Sequence, residues 1–438
     1  MSRYTSVTDD DLEEMLATIG VASIEDLFVD IPQELRLGRP LGLDDGLSEQ
    51  EVYGELRALA GRNVSTEDQV TFLGAGMYDH YVPALIDSII MRSEFLTPYT
   101  PYQPEISQGG LQAMFEYQTA ISELTGLPIS NASVYEGPSA VAAAGYVAKH
   151  HNNRRRFVVS RGVHPHAIET LQTLARGYDM EVEVVDLVDG ITELPPLDDQ
   201  VSAVIVAQPN FLGAVESLQE IADAAHAAGA LAICSADPIP LGLLRAPGEQ
   251  GIDIVVGEGQ TLGNRLDFGG PSFGFFAVSQ ELVRRLPGRL AGETRDLDGK
   301  RGFVLTLQTR EQHIRREKAT SNICTSQALN ALAGVIYLSW LGRRGIVELG
   351  ELMVQRTAYA REQLAAIPGV SLSHTQPVVR EFPIRVEGGV DTVIAHCRAR
   401  GINPGYRLSD DELLVAITEQ RTRAQIDQLV ETVKEALA

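Results

Sequence analysis

Residues 252–264 read Ile252-Asp-Ile-Val-Val256 and then Gly257-Glu-Gly-Gln-Thr-Leu-Gly-Asn264. The first five residues are rich in β-branched side chains, which predicts a buried strand, and the glycines that follow predict a tight turn. In open α/β sheets, ligands bind beyond the carboxyl ends of the strands. We therefore expect this turn to lie at the edge of the sheet that carries the functional site.

On the N-terminal side of this turn, apolar runs alternate with helical patterns. Strands are predicted at 157–160, 182–187, 203–207 and 230–235, and helices at 166–176 and 217–228. Strands that alternate with helices form parallel sheets, which are covered by helices on both faces. The sequence therefore predicts an α/β fold with a mostly parallel sheet.

Three regions are predicted along the chain. Residues 1–65 form an N-terminal helical arm, with a capping box at 48–51, and this arm packs either on a partner subunit or on its own domain. Residues 66–330 form the large α/β domain. Residues 331–438 contain a connecting helix, which is interrupted near Gly342, and a smaller α/β C-terminal domain.

Composition excludes several classes of partner. The 438 residues carry a formal net charge of -23, which argues against nucleic acid or an anionic membrane as a partner. The three cysteines are far apart and give neither a disulfide framework nor a metal signature, so we expect a reducing cytoplasm and no metal site. The N-terminus lacks a secretory pattern, and the longest apolar region, near 328–341, is too interrupted to span a bilayer.

Polar residues near the ends of predicted strands form a candidate pocket. A turn with Glu136, Gly137 and Ser139 precedes a helix; such a turn can bind phosphate, but Glu136 would oppose an anion, and plain helix capping is the alternative. His164 follows a strand and either stacks on a cofactor ring or is an ordinary partly exposed histidine. Asp237 either holds a ring nitrogen protonated or caps a helix before Pro238.

A proline-rich stretch, 97–109, is the most unusual part of the chain. Its prolines at 98, 101 and 104 exclude a helix and favour an extended segment. Such a segment can line an active site at a partner interface or can simply connect two elements. The candidate lining residues are Tyr99, Tyr102, Gln103, Glu105 and Ser107.

Two further patterns are weak. The glycines at 257, 259 and 263 are spaced unlike those of a dinucleotide-binding turn. Residues 270–274 match the pattern of a serine-hydrolase nucleophile elbow, but a strand pattern follows them where an elbow needs a helix.

Several motifs together resemble glycine decarboxylase, the P-protein of the glycine cleavage system, and more narrowly subunit 1 of the split bacterial form. The similarity covers nearly the whole chain, and its motifs are 97–109, 206–213, 253–264, 268–271, 274–277 and 315–325. The resemblance implies a fold-type-I architecture, that of pyridoxal-phosphate (PLP) transferases, for the large domain. It also implies the reaction of glycine with lipoylated H-protein to give carbon dioxide and aminomethylated H-protein.

PLP enzymes hold the cofactor as a Schiff base on a lysine. This chain has four lysines, at 149, 300, 318 and 434, and the position of the family's lysine maps near Gln260 and Thr261. The resemblance therefore implies that no catalytic residue lies on this chain and that PLP is bound by a companion, subunit 2.

Two alternatives stay open. In the first, the chain is a scaffold that docks H-protein without lining an active site. A basic patch at 154–156 or at Arg315 and Arg316 could contact H-protein in either case. In the second, the chain is a free-standing PLP enzyme of the aminotransferase type.

Overall fold

The computed structural model describes residues 6–319 and 323–438. The chain divides into two compact units at Val64 and Ser65. The first unit contains helices α1 (Asp9–Ile19) and α2 (Glu49–Ala60) and two 3-10 helices, Ile24–Phe28 and Gln33–Leu35. The division of the remaining chain at residue 330 stays a prediction.

Both helices of the first unit begin with a capping box. Thr8 accepts a hydrogen bond from the backbone N–H of Asp11, and Ser48 accepts one from that of Glu51; each carboxylate bonds back to its cap residue. These pairs satisfy N–H groups that a helix leaves unpaired at its start. The capping box predicted at 48–51 is confirmed. No residue of 6–64 is buried.

The second unit holds the remaining elements. Its α-helices in the described ranges are α3 (Ala84–Ile90), α4 (Ser93–Leu96), α5 (Gln108–Thr125), α6 (Gly137–Asn152), α7 (Pro165–Gly177), α8 (Leu218–Ala227), α9 (Gln312–Arg315), α10 (Ala328–Ala365), α11 (Val390–Ala399) and α12 (Arg423–Leu437). Its strands there are β1 (Val70–Thr71), β2 (Ile129–Ser130), β3 (Arg156–Ser160), β4 (Glu181–Val185), β5 (Leu187–Val188), β6 (Ile191–Thr192), β7 (Val201–Gln208), β8 (Leu231–Ala236), β9 (Ile254–Glu258), β10 (Gly274–Val278), β11 (Leu290–Arg295), β12 (Arg301–Thr306), β13 (Val370–Leu372), β14 (Glu381–Val386), β15 (Ile402–Asn403), β16 (Tyr406–Arg407) and β17 (Glu412–Ala416).

The central sheet has the strand order β2-β10-β9-β8-β7-β3-β4. Strands β9, β8, β7, β3 and β4 run parallel, and β10 is antiparallel to both β9 and β2. The predicted α/β fold with a mostly parallel sheet is confirmed.

Strand β7 shows why the sheet is covered on both faces. All eight of its residues are buried. Val204 and Val206 belong to a core with α5, α8 and α10, whereas Ala203 and Ile205 belong to a second core with α6 and α7. Successive side chains of a strand point to opposite faces, so a strand buried on both sides needs an uninterrupted apolar run.

A smaller antiparallel sheet, of order β13-β14-β17-β16, forms the C-terminal part of the chain. The second half of α10 contributes Ala360 and Leu364 to its core, together with residues of α11 and α12. Helix α10 therefore contributes to one core of the central sheet and to the core of the smaller sheet. It is kinked at Gly342, whose backbone is non-helical (φ 62°, ψ 178°). The predicted interruption of this helix is confirmed.

Two local features differ from the predictions. The hairpin of β11 and β12 was not predicted, because β11 lacks an apolar alternation and its second half, Glu293-Thr-Arg295, is exposed. The stretch 97–109 was predicted to be free of helix, but Pro104 begins a 3-10 helix, Pro104–Ile106. That prediction was wrong because proline is tolerated at the first helical position, where its missing N–H is not needed.

A group of polar side chains joins the two sheets; we call Tyr78, His80, Asp237, Arg380 and Glu381 the polar bridge. Glu381, at the start of β14, accepts hydrogen bonds from the backbone N–H of Ala75 at 2.7 Å and from the Tyr78 hydroxyl at 2.6 Å. Its neighbour Arg380 pairs with Asp237, which follows β8, and donates to His80. Burial raises the pKa of the Glu381 carboxyl to about 7.

We expect Glu381 to make stability depend on pH. Because its folded-state pKa is raised from 4.5 to about 7, its contribution to the free energy of unfolding is greatest below pH 4.5 and is lost as the pH rises towards 7. In the Glu381→Gln protein the amide oxygen can accept from the Ala75 N–H and the amide nitrogen can donate to the Tyr78 hydroxyl oxygen, as a protonated carboxyl would, but the amide has no proton to lose. Relative to this variant, the free energy of unfolding of the wild type should fall by about 1.4 kcal/mol for each pH unit between 4.5 and 7. Urea unfolding at several pH values measures this difference.

The matched control is Glu387→Gln, which changes an exposed carboxylate just after the same strand. This control should keep the pH dependence of the wild type. Equal pH profiles for Glu381→Gln and wild type would contradict the prediction.

Gly213 should be intolerant of any side chain. Its backbone has φ +81°, and a Cβ there would lie 1.8 Å from the carbonyl oxygen of Glu381. Gly213→Ala should therefore lower the free energy of unfolding by roughly 3 kcal/mol or more. Gly401→Ala is the control, since Gly401 has φ +71° but open space around it, and should lose only about 1–2 kcal/mol. Similar losses of unfolding free energy in the two variants would show that the close contact with Glu381 does not destabilise Gly213→Ala.

Candidate functional site

A cavity of about 200 Å³ lies beyond the carboxyl ends of β7, β8 and β9. Its walls include the loops that follow these strands, the first turns of α6 and α7, and part of the polar bridge. Of the predicted pocket residues, Gly137, His164 and Asp237 line the cavity, as does Thr261. Glu136 and Ser139 belong to the start of α6 beside it.

Two carboxylates lie at the N-terminus of α6. Glu136 is the N-cap residue and accepts a hydrogen bond from the backbone N–H of Ser139 at 2.9 Å, so the capping alternative is confirmed. Glu258, at the end of β9, accepts from the backbone N–H of Gly137 at 3.0 Å. Burial raises the pKa of Glu258, while hydrogen bonds from Ser272, Gly137 and Gln260 act to lower it. The donors that could bind a phosphate are therefore used by the protein's own acids.

Asp237 is not available to a cofactor ring. Its carboxylate forms an ion pair with the buried guanidinium of Arg380, and it accepts a hydrogen bond from the backbone N–H of Ile239 at 3.3 Å. The next helical turn begins at Pro240, with Ile239 as its N-cap residue. The expectation that Asp237 might cap a helix before Pro238 was therefore wrong; the residue instead joins the central sheet to β14.

His164 is fixed in one orientation. Its Nδ1 accepts from the backbone N–H of His166 at 3.1 Å, so Nε2 carries the proton and donates to the carbonyl of Ala75 at 3.0 Å. Phe211 packs edge-on against the ring, with 5.1 Å between centroids. Burial lowers the pKa of His164, which favours the neutral ring. The side chain acts as a wall of the cavity and as the cap of α7.

The position expected for a lysine holds two buried, uncharged side chains. The Gln260 amide accepts from the backbone N–H of Tyr78 at 2.9 Å and donates to the carbonyl oxygens of Tyr78 and Asn264. Thr261 faces the cavity, and its hydroxyl has no hydrogen-bond partner among the described residues. The four lysines all lie in the described part of the chain, and none of them lines the cavity.

PLP does not fit these residues. A PLP site needs an amine for the aldehyde, free donors for the phosphate and an acidic group for the ring nitrogen. Here the amine is replaced by Gln260 and Thr261, the donors of α6 bind Glu136 and Glu258, and Asp237 is paired with Arg380. We therefore assign no chemical step through PLP to this pocket.

The proline-rich segment lies outside the cavity. Tyr99 and Tyr102 are 81% and 59% exposed, and Gln103, Glu105 and Ser107 do not line the cavity either. The Tyr102 ring lies 6.5 Å from that of His313 and 5.7 Å from the guanidinium of Arg289. The segment is therefore next to residues 312–318, and the two together form an exposed face of the second unit.

The two basic patches considered for H-protein differ in availability. Arg154 donates to the carbonyls of Val201 and Ala228, and Arg156 pairs with Asp198 at 2.8 Å, so these two cations already have partners, whereas Arg155 is exposed. Arg315 and Arg316 are exposed. They lie in the exposed face that also contains Tyr102.

Four residues of the site were missed from the sequence: Tyr78, Glu258, Arg380 and Glu381. Glu258 belongs to the turn at 257–264, but the neighbouring sequence did not indicate that its carboxyl group would accept a hydrogen bond from the first turn of α6. Arg380 and Glu381 stand at the start of an apolar strand, where charged side chains are often buried only when they are paired, so they could have indicated an internal polar contact.

Two kinds of site are absent from the described residues. None of their helices has the length and apolar character needed to cross a membrane. Within 6–319 and 323–438, no cluster of three or more histidine, cysteine or acidic side chains is arranged to hold a metal ion.

Comparison with known proteins gives a consistent result. The family model of the glycine cleavage system P-protein matches residues 2–433. A probable glycine dehydrogenase (decarboxylating) subunit 1 from Geobacillus thermodenitrificans is 47% identical over 440 residues, with 98% of each chain covered. A crystal structure of glycine decarboxylase (P-protein) in inhibitor-bound form is 43% identical over the whole of both chains, with a TM-score of 0.91.

A more distant structure, sphingosine-1-phosphate lyase from Burkholderia pseudomallei, is 14% identical with a TM-score of 0.61 and shows the fold alone. These neighbours have the fold-type-I architecture of PLP-dependent enzymes, so the predicted fold class is confirmed. A family model that spans nearly the whole chain, together with a relative and a solved structure above 40% identity, leads to one assignment: this chain belongs to the glycine cleavage system P-protein family.

Proposed function

We propose that this chain is the subunit of a heteromeric glycine decarboxylase that does not carry PLP. The complete enzyme would convert glycine and lipoylated H-protein into carbon dioxide and aminomethylated H-protein. The lysine that holds PLP would be supplied by a companion, subunit 2. The relatives are themselves named as subunit 1 of such an enzyme, which supports the existence of a companion.

The observation that carries the proposal is the pocket at Gln260 and Thr261. This pocket offers no primary amine, and its helix N-terminus is taken by Glu258. PLP chemistry needs that amine, because the cofactor aldehyde is held by a lysine before glycine displaces it. A chain of this family without such a lysine must work with a second polypeptide that has one.

The part played by this chain would be to shape the partner's active site. Tyr99, Tyr102 and Gln103 are exposed in the chain by itself, and they carry hydroxyl and amide groups suited to bind a small polar substrate. Burial of this face against subunit 2 would remove water from the site and orient glycine there.

A second candidate function is docking of H-protein without a part in the active site. It is favoured by Arg315 and Arg316, which are exposed beside the segment of Tyr102. The third reading, a free-standing PLP enzyme, has no support from the pocket, because PLP does not fit it. The free thiols of Cys234, Cys324 and Cys397 are compatible with the cytoplasmic location that we propose.

The chain alone should be inactive. With PLP and labelled glycine it should release no labelled carbon dioxide, and it should show no visible Schiff-base absorption that borohydride fixes, because no amine lines the cavity. Co-expression with the lysine-bearing companion should restore both signals. Release of labelled carbon dioxide by the chain alone would overturn the proposed function.

Substitutions in the exposed segment should separate the first two candidate functions. In the reconstituted enzyme, Tyr99→Ala and Gln103→Ala should each lower glycine–bicarbonate exchange by about tenfold or more, because misplaced substrate reacts slowly. Leu174→Ala, on an exposed position of α7, is the control and should leave the exchange unchanged. Normal exchange in both segment variants would favour the docking function instead.

A further inference from the structure

We propose that the cavity is a cofactor site that the protein fills with its own groups. In this arrangement the Glu258 carboxylate takes the position of a cofactor phosphate at the N-terminus of α6, and Arg380 binds the Asp237 carboxylate that a cofactor ring would need. The chain therefore excludes phosphate-bearing cofactors by more than the lack of a lysine. Supplying a lysine would not be enough to restore a site.

The first turn of α6 is where an anion is attracted. Backbone N–H groups at a helix N-terminus have no partner within the helix, and the helix dipole adds positive potential there. In this chain the N–H of Gly137 donates to Glu258 at 3.0 Å and the N–H of Ser139 donates to Glu136 at 2.9 Å. Both donors thus already bind carboxyl oxygens of the protein.

There is also no space for a phosphate beside the Glu258 side chain at the first turn of α6. A Cβ placed on Gly137 would lie 3.1 Å from the Cβ of Glu258 and 3.2 Å from its backbone nitrogen. A phosphate is much larger than a methyl group. A phosphate could therefore not lie at this position beside the Glu258 side chain.

Glu258 is held firmly in this position. Besides Gly137, its carboxylate accepts hydrogen bonds from the Ser272 hydroxyl and from the backbone N–H of Gln260 at 3.1 Å. The three donors come from three different segments of the chain. Displacement of the carboxylate would leave all three of them unpaired, which is costly for groups removed from water.

Electrostatic repulsion also disfavours a phosphate at the N-terminus of α6. A phosphate placed at this helix would face Glu136 and Glu258 together, and like charges at short range disfavour each other. Arg380 is the nearby cation that lines the cavity, but it is paired with Asp237 and also donates to His80. The cavity therefore offers a phosphate no net attraction.

A lysine supplied in the cavity provides the test. In the full-length chain, Thr261→Lys alone should carry no PLP at residue 261 after borohydride reduction and peptide mapping. Thr261→Lys with Glu258→Ser should carry PLP there, and its affinity for PLP should be at least about tenfold higher, a difference of ~1.4 kcal/mol. The control is Thr261→Lys with Glu169→Ser, which removes an exposed glutamate on α7 and should behave like the single variant.

Equal labelling of residue 261 in the single and double variants would overturn the inference, as would a folded double variant that gains nothing. If the double variant does not fold, inorganic phosphate is titrated into wild type and into Glu258→Ala, and thermal unfolding is followed. Stabilisation of Glu258→Ala alone supports the inference, and any other pattern rejects it. Neither result depends on glycine turnover, so failure here is distinguishable from failure of the proposed function.

Discussion

The carboxyl edge of the central sheet must be closed by groups that satisfy one another. Strands β7, β8 and β9 and helices α6 and α7 all direct polar backbone atoms towards one cavity, and unpaired polar groups are costly when they are buried. In many enzymes of this architecture a cofactor completes such an edge. In this chain Glu258, Asp237, Arg380 and Glu381 complete it, so the packing of the two sheets depends on internal acid–base and hydrogen-bond pairs.

Most strands and helices of the central sheet region could be predicted from the sequence. Strands β3, β7, β8 and β9 and helices α7 and α8 lie close to their predicted positions, because each is a local pattern of apolar residues that the sheet then buries on both faces. The kink of α10 at Gly342 was also visible, since glycine weakens a helix locally. Such features depend on neighbouring residues in the chain and need no knowledge of the rest of the fold.

The site was much less predictable. Asp237 and Arg380 are 143 positions apart, and Gly137 and Glu258 are 121 apart. A single sequence does not reveal which distant groups meet, so the absence of a lysine near Gln260 and Thr261 could be inferred, while the hydrogen bond from Gly137 to Glu258 could not. The family resemblance supplied the catalytic context, and the geometry added which of this chain's own groups occupy the place of a cofactor.

The cavity at the sheet edge is closed by the protein's own side chains, and this affects how the protein folds. A bound cofactor adds its binding free energy to the folded state, and a protein that relies on it becomes less stable when the cofactor is scarce. This chain has no such dependence at the edge of its central sheet, because Glu258 and Arg380 are part of the polypeptide. The folded state gains no stability from PLP at this edge, so we expect the folding of this chain not to depend on the supply of that cofactor.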